Sequence, residues 1–134
     1  MDRRITGRVV RGAGRGRPMG FPTANLAVES PADLPPDGVY FGRFALNGWS
    51  AVALVSIGTN PTFGAGTRTA EAYVLDRDED MYGGTAEVEI ITLIRWQERF
   101  ASVEALVDAM RTDERLARRL AGGETVPGLP WSPR

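Results

Sequence analysis

The sequence lacks several residue types on which enzymes commonly rely. It contains no cysteine and no histidine, and all 16 of its basic residues are arginine. Disulfides and thiolate metal sites are therefore excluded. A Ser-His-Asp triad is also excluded, so a general base at neutral pH must be a carboxylate or another unusual group. Because there is no lysine, phosphate binding cannot depend on a P-loop lysine.

Long apolar runs are also missing. No stretch reaches the roughly 18 apolar residues that a membrane span needs. The charged residues 1–5 are not followed by the apolar stretch of a signal peptide. We therefore expect no membrane partner and a cytoplasmic location. The net charge of -1 argues against broad nucleic-acid binding, which needs a basic face.

Short segments rich in β-branched and aromatic residues dominate the chain, which at 134 residues has room for one domain. Asn47-Gly48 predicts a type I′ hairpin turn. The alternation of the last strand shifts near its end, which predicts a bulge. The predicted strands are 5–10, 38–46, 49–57, 69–75 and 86–94, with a shorter extended segment near 21–26.

Only the end of the chain has helical spacing. Ser102 is the expected N-cap and Gly122-Gly123 the expected stop, while Thr112-Asp113 leaves open a break or the start of a second segment. Several strands followed by one helix predict a mainly β protein, an antiparallel barrel with a C-terminal α-helix packed outside. We expect one domain over residues 1–122 and a loosely ordered tail over 123–134.

The segment 11–20 is rich in glycine and arginine. Its backbone amides, helped by Arg11, Arg15 and Arg17, are suited to wrap phosphates. A flexible surface loop with solvated arginines explains the same composition equally well.

Thr23 and Asn25 follow this loop at a spacing of two, which puts both side chains on one face of an extended chain. A hydroxyl and an amide carbonyl are hard oxygen donors that suit Mg²⁺ bound to a nucleotide. The alternative is that both side chains only satisfy local backbone groups.

Several short motifs then follow one another along the chain. Gly20-Phe21-Pro22-Thr23-Ala24-Asn25 comes first. The others are Gly38-Val39-Tyr40, Ser56-Ile57-Gly58-Thr59-Asn60-Pro61-Thr62-Phe63, Glu71-Ala72-Tyr73-Val74-Leu75-Asp76, Asp80-Met81-Tyr82-Gly83 and Arg95-Trp96-Gln97-Glu98-Arg99-Phe100. In kind and order they closely resemble the motifs of riboflavin kinases, over about residues 5–121.

This resemblance implies a six-stranded Greek-key barrel with MgATP and riboflavin on opposite sides of a shared cleft. Thr23 and Asn25 would bind Mg²⁺ and the nucleotide phosphates, and the 11–20 loop would form a flap over them. The residues assigned to ATP and its phosphates are Gly12, Gly14, Arg15, Gly16, Arg17, Gly20, Pro22, Thr23 and Asn25.

The resemblance also implies a catalytic carboxylate near the end of the last strand. Many riboflavin kinases have the motif Arg-x-Glu-x-x-Phe at this place. Aligned on Arg95 and Phe100, this motif would put Gln97 at the position of the glutamate. Others read Arg-x-x-Glu-Lys-Phe, which makes Glu98 the base, and we expect Glu98 to have this role. Trp96, Glu98, Phe100 and Met110 are the expected flavin contacts.

The function expected from these residues is riboflavin kinase activity, the transfer of the ATP γ-phosphate to riboflavin to give FMN and ADP. A non-catalytic flavin- or nucleotide-binding module on the same barrel is the alternative. A barrel interaction domain unrelated to flavins is a third class, and it predicts no thermal stabilisation by these ligands.

Overall fold

Six antiparallel strands close into a barrel, and one helix packs against its outer face. The structure is a computed structural model that describes residues 4–10, 23–59, 67–77 and 80–129. The elements are β1 (Arg4–Val10), β2 (Ala24–Val28), a 3₁₀ turn (Pro31–Asp33), β3 (Gly38–Leu46), β4 (Trp49–Thr59), β5 (Arg68–Val74), β6 (Thr85–Trp96) and α1 (Val103–Ala121).

The strands are hydrogen-bonded around the barrel in the order β1-β2-β5-β4-β3-β6, and β6 closes onto β1. β3, β4 and β5 form a meander, and β6 returns to lie beside β3. That arrangement is a Greek key. The predicted fold class is therefore confirmed.

Where the strands pair regularly, alternation along each strand separates the barrel core from the outer face. On β1, for example, Ile5 and Val9 are buried while Thr6 and Arg8 are exposed. Tyr40, Phe44 and Leu26 are among the largest fully buried side chains of the core. Residues of the intervening positions point outward, so position parity along a strand decides which side a residue faces.

The predicted irregularity in the last strand is present in β6. The β3–β6 register shifts twice, between Val39 and Tyr40 and between Phe41 and Gly42. Ile94 and Ile91 are the extra residues on β6, and both contribute to the apolar cluster on the outer face. The bulges thus supply additional apolar side chains for α1 to cover.

The β3–β4 hairpin has the predicted turn. Asn47 and Gly48 both adopt positive φ, at 49° and 86°. Type I′ turns require positive φ at both central residues, which is why Asn-Gly favours them. The prediction from this dipeptide is confirmed.

α1 begins at the expected cap, because the Ser102 hydroxyl accepts a hydrogen bond from the Ala105 amide at 3.1 Å. It does not break at Thr112-Asp113 but continues to Ala121. Thr112 donates its hydroxyl hydrogen to the Asp108 carbonyl, and the Asp113 carboxylate is bonded to the barrel. These contacts outweigh the weak helix propensity of the two residues.

Beneath α1 lies a second apolar cluster on the outside of the barrel. It includes Val39, Phe41 and Leu54 from the strands and Ala117 from the helix. The helix therefore covers the outer face of β3 and β4 and leaves the outer face of β2 uncovered by this cluster. Within the described residues, no helix is long and apolar enough to cross a membrane.

Candidate active site

A row of polar residues crosses the outer face of three neighbouring strands. Asn25 on β2 is opposite Glu71 on β5, and Glu71 is opposite Ser56 on β4. The residues before and after each of these either belong to the barrel core or pack against it, so the three side chains point outward. We call Asn25, Glu71 and Ser56 the polar row.

Asn25 is the most buried member of the row, with 5% of its surface exposed. Among the described residues its Oδ1 atom has no hydrogen-bond partner. An unsatisfied buried acceptor costs about 1–3 kcal/mol, so a bound cation or donor would relieve a real penalty. Thr23 directly precedes β2, and its two-residue spacing keeps it on the side of Asn25 wherever the chain is extended.

Glu71 is the carboxylate that the register places beside Asn25. Sequence reasoning overlooked it, although it begins one of the motifs quoted above. The signal that could have found it is the alternation of β5, where Ala70 and Ala72 are fully buried and Glu71 must face outward. The Glu71 side chain is partly buried, and its two neighbours in the strand belong to the core.

Gln97 reaches the other end of the polar row. Its Nε2 atom donates to the Ser56 hydroxyl at 2.7 Å and to the Ile57 carbonyl at 3.2 Å. The chain just after β6 is therefore tied across β3 to β4. Because both amide hydrogens are used within the protein, Gln97 acts as a structural tie and needs no proton-transfer role.

Arg95 connects the same region to α1. Its Nε atom lies 3.0 Å from both carboxylate oxygens of Asp113, and its Nη2 atom lies 2.9 Å from Asp113 Oδ2. Its Nη1 atom is buried, has no hydrogen-bond partner among the described residues and lies 3.9 Å from Glu98 Oε1. The guanidinium carbon also lies 5.4 Å from the centre of the Phe100 ring.

The carboxylate of Glu98 is 58% exposed. Arg95, its ion-pair partner, shares a register row with Asn25, but β3, β4 and β5 lie between them. The structure therefore brings Asn25 and Glu71 together on one side, with Thr23 two residues before Asn25, and Gln97, Glu98 and Phe100 together on the other.

The predicted flavin contacts lie at the end of β6 (Trp96), in the segment that follows it (Glu98 and Phe100) and on α1 (Met110). Trp96 is 53% exposed, a large apolar surface for a strand end, while Phe100 and Met110 are partly buried. The predicted phosphate-binding residues Gly12, Gly14, Arg15, Gly16, Arg17, Gly20 and Pro22 lie outside the described residues.

Tyr73 lies two positions after Glu71 and also faces outward. Its hydroxyl donates to Glu114 Oε1 on α1 at 2.7 Å. Burial, followed by the hydrogen bond to Glu114, raises the pKa of Tyr73 to about 12. The phenol is neutral at physiological pH and holds α1 against β5 beside the polar row.

The fold is thus a Greek-key β-barrel that carries a row of polar groups on its outer face and a helix packed against that face. The family model described as riboflavin kinase matches residues 2–121. The chain belongs to the riboflavin kinase family.

Relatives of known name agree with this assignment. The human riboflavin kinase is 34% identical, with 84% of this chain and 77% of the relative covered. A bifunctional riboflavin kinase/FMN adenylyltransferase from Listeria monocytogenes is 37% identical over 84% of this chain, but over only 36% of the relative. The chain thus spans about a third of the length of the first curated relatives it matches.

A solved structure supports the fold independently. The riboflavin kinase from Trypanosoma brucei superposes with a TM-score of 0.68 at 25% identity, covering 94% of this chain and 79% of that one. The barrel and its C-terminal helix are therefore shared with a riboflavin kinase.

Proposed function

We propose that this chain is a riboflavin kinase, which transfers the γ-phosphate of ATP to the ribityl 5′-hydroxyl of riboflavin and releases FMN and ADP. The observation that carries the proposal is the juxtaposition of Asn25 and Glu71 on the outer face of a barrel of this family. The proposed partners are the small molecules ATP and riboflavin, and the proposed place of action is the cytoplasm, which supplies ATP.

The nucleotide side of the site is assigned to β2. Asn25 offers a buried carbonyl oxygen without a partner among the described residues, and Thr23 offers a hydroxyl. Both are the hard oxygen donors that Mg²⁺ accepts alongside phosphate oxygens. When bound, Mg²⁺ would neutralise charge on the phosphates of ATP. Phosphate oxygens of the nucleotide and water are proposed to complete the coordination, as is usual for Mg²⁺.

The loop 11–20 is proposed as the flap over the phosphates. Its glycines at 12, 14, 16 and 20 and its arginines at 15 and 17 are the donors that this role requires. β1 ends at Val10, directly opposite Asn25, so the residue that precedes this segment lies beside the proposed metal ligands. This placement supports the assignment of the loop to the nucleotide.

The general base is proposed to be Glu71 rather than Glu98. A base must come within hydrogen-bond reach of the hydroxyl whose proton it takes, and that hydroxyl must approach the γ-phosphate. Glu71 is adjacent to Asn25 in the sheet, whereas along the register row that joins Asn25 to Arg95, the partner of Glu98, three strands lie between them. Glu98 remains a proposed contact at the flavin side.

The flavin side is assigned to the β6–α1 connection. The exposed ring of Trp96 and the partly buried ring of Phe100 offer flat apolar surface to the isoalloxazine, with Met110 on the neighbouring helix. Glu71 then lies between the two substrates, because Asn25 flanks it on one strand and Ser56, which is tied to Gln97, on the other.

With ATP, riboflavin and Glu71, every bond formed or broken and the transferred proton are accounted for. The 5′-oxygen of riboflavin forms a bond to the γ-phosphorus while the bond from that phosphorus to the β,γ-bridging oxygen breaks. The electron pair leaves with ADP, and the hydroxyl proton passes to the Glu71 carboxylate. Positioning supplies most of the rate, so a single well-placed carboxylate is sufficient.

The direct test is to incubate the purified chain with riboflavin, ATP and Mg²⁺ and to separate the flavins chromatographically. Stoichiometric formation of FMN and ADP is the expected result. Tight binding of riboflavin without phosphate transfer, under several divalent metals, would replace the proposal with a non-catalytic flavin-binding module.

A further inference from the structure

We propose that Asp113, on the barrel-facing side of α1, is a positioning residue that fixes the flavin-side segment 97–100 through Arg95. The proposal deepens the proposed function and depends on it for its kinetic readout, although a binding readout stands without it. Asp113 touches no reacting group; its effect passes through one guanidinium.

The Asp113 carboxylate is held in a way that a solvated surface acid is not. Its side chain is 5% exposed, and both of its oxygens accept hydrogen bonds from Arg95 at 2.9 to 3.0 Å. The paired arrangement fixes the plane of the guanidinium as well as its position. The direction of the third nitrogen, Nη1, is therefore set by Asp113.

Arg95 in turn contacts the segment 97–100 at two places. Nη1 lies 3.9 Å from the Glu98 carboxylate, and the guanidinium lies 5.4 Å from the Phe100 ring centre. Gln97 secures the start of the same segment to Ser56 and Ile57. The segment is thus held from β4 on one side and, through Arg95, from α1 on the other.

Glu114, the next residue of α1, makes a second contact between the helix and the barrel. Glu114 accepts the Tyr73 hydrogen bond on β5, while Asp113 binds Arg95 on β6. β5 and β6 are separated in the barrel by β4 and β3. Two consecutive helix residues therefore fix α1 at both edges of the surface it covers, one beside Glu71 and the other beside the segment 97–100.

Loss of the Asp113 charge has a specific consequence. Arg95 would keep a partly buried positive charge, and Glu98 is the other carboxylate with which it pairs. The guanidinium would turn from α1 toward Glu98 and draw the segment 97–100 with it. This displacement affects riboflavin, whereas Thr23 and Asn25 on β2 keep their positions.

The test compares Asp113→Asn with Asp108→Asn, the same chemical change at an exposed position of the same helix. The Kd for riboflavin is measured by quenching of flavin fluorescence, and KM is measured for riboflavin and for MgATP. For Asp113→Asn we expect kcat/KM for riboflavin to fall roughly ten- to hundredfold, as small misplacements do. The KM for MgATP should stay within about twofold of the unchanged chain, which sets the scale of the comparison. Asp108→Asn should match the unchanged chain in the riboflavin Kd, in kcat/KM for riboflavin and in KM for MgATP.

The proposal would be overturned if kcat/KM fell equally for riboflavin and MgATP. It would also be overturned if a folded Asp113→Asn protein had the riboflavin Kd and kcat/KM of the unchanged chain. If that variant does not fold, Arg95→Lys decides, because lysine keeps the positive charge beside Asp113 but lacks the planar fork. It should show the same selective weakening of riboflavin binding, and an unchanged riboflavin Kd would refute the positioning role. If the unchanged chain binds riboflavin but makes no FMN, the proposed function fails while the comparison of Kd values still stands.

Discussion

Asn25 and Glu71 face each other across neighbouring antiparallel strands, and both side chains point away from the barrel core. One supplies a buried carbonyl oxygen with no partner among the described residues, and the other supplies a carboxylate. Directly opposed residues of a sheet have Cβ atoms about 4.5–5.5 Å apart. A metal-bound phosphate and the hydroxyl that attacks it can therefore be served by two adjacent strands.

The two candidate bases can be separated by isosteric substitution. Glu71→Gln should lower kcat about 10²- to 10⁴-fold, the usual range for a general base, because glutamine accepts no proton. Riboflavin binding should persist. The measurement is steady-state FMN formation together with the riboflavin Kd.

Glu98→Gln serves as the matched control for that experiment. Because Glu98 is exposed and pairs with Arg95, we expect its substitution to change KM for riboflavin more than kcat. A collapse of kcat in Glu98→Gln, with near-normal turnover in Glu71→Gln, would transfer the role of base to Glu98.

The nucleotide side can be tested without turnover. MgADP at 100 times its Kd should stabilise the unchanged chain by about 2.7 kcal/mol, visible as a rise in Tm. Asn25→Ala should abolish most of that rise, because the proposed metal ligand is lost. Ser50→Ala, a change on an exposed position of β4, should retain it. A full MgADP shift in Asn25→Ala would show that Asn25 does not hold the metal.

Arg68, at the start of β5, is expected to stabilise residues 34–37, the segment that leads into β3. It bonds to Asp37 at 2.7 to 2.8 Å and also donates to the carbonyls of Pro35 and Leu34. Hydrogen bonds to a charged group contribute about 1.5–3 kcal/mol, so Arg68→Ala should lower the free energy of unfolding by an amount of this order. Urea titration measures it, with Arg43→Ala on the exposed side of β3 as the control. A loss no larger than that of Arg43→Ala would contradict the assignment.

Stability at alkaline pH should depend on Tyr73. Its pKa is raised to about 12 in the folded chain from 10.0, so the stabilisation is complete below pH 10 and disappears as the pH rises to about 12. In Tyr73→Phe this part of the pH dependence should be missing. The test is the difference in urea midpoint between the two proteins from pH 8 to 12.

The unchanged chain must be compared with Tyr73→Phe because burial also raises the pKa of Tyr40. Tyr40 therefore contributes to the alkaline pH dependence of both proteins. Two parallel curves of urea midpoint against pH would exclude a special contribution of Tyr73.

Much of the fold could be predicted from local signals. Three features depend on only a few neighbouring residues each, and all three are present: the Asn47-Gly48 turn, the Ser102 cap and the altered alternation of β6. The continuity of α1 could not be predicted, because it depends on Asp113 meeting Arg95, a residue 18 positions earlier. Such partners become visible only when the barrel brings them together.

The candidate site shows the same division. The spacing of Thr23 and Asn25 indicated a common face, and the β2 register agrees with an outward Asn25. The alternation of β5 marks Glu71 as facing outward, but the sequence alone does not place it beside Asn25, because that pairing joins strands that are not consecutive in the chain. The assignment to Glu98 depended on likeness to a motif near the end of β6, and the register argues for Glu71.

The polar row and the core positions that flank it should tolerate different substitutions during evolution. Asn25, Glu71 and Ser56 alternate with core residues, so substitutions one position apart fall under different selective pressures. Core exchanges that preserve volume should tune thermal tolerance without altering turnover. A pairing error of one residue in β2, β5 or β4 would turn that strand's polar residue into the core and its core residues outward, so a misregistered barrel would be strongly disfavoured as a folded but inactive competitor.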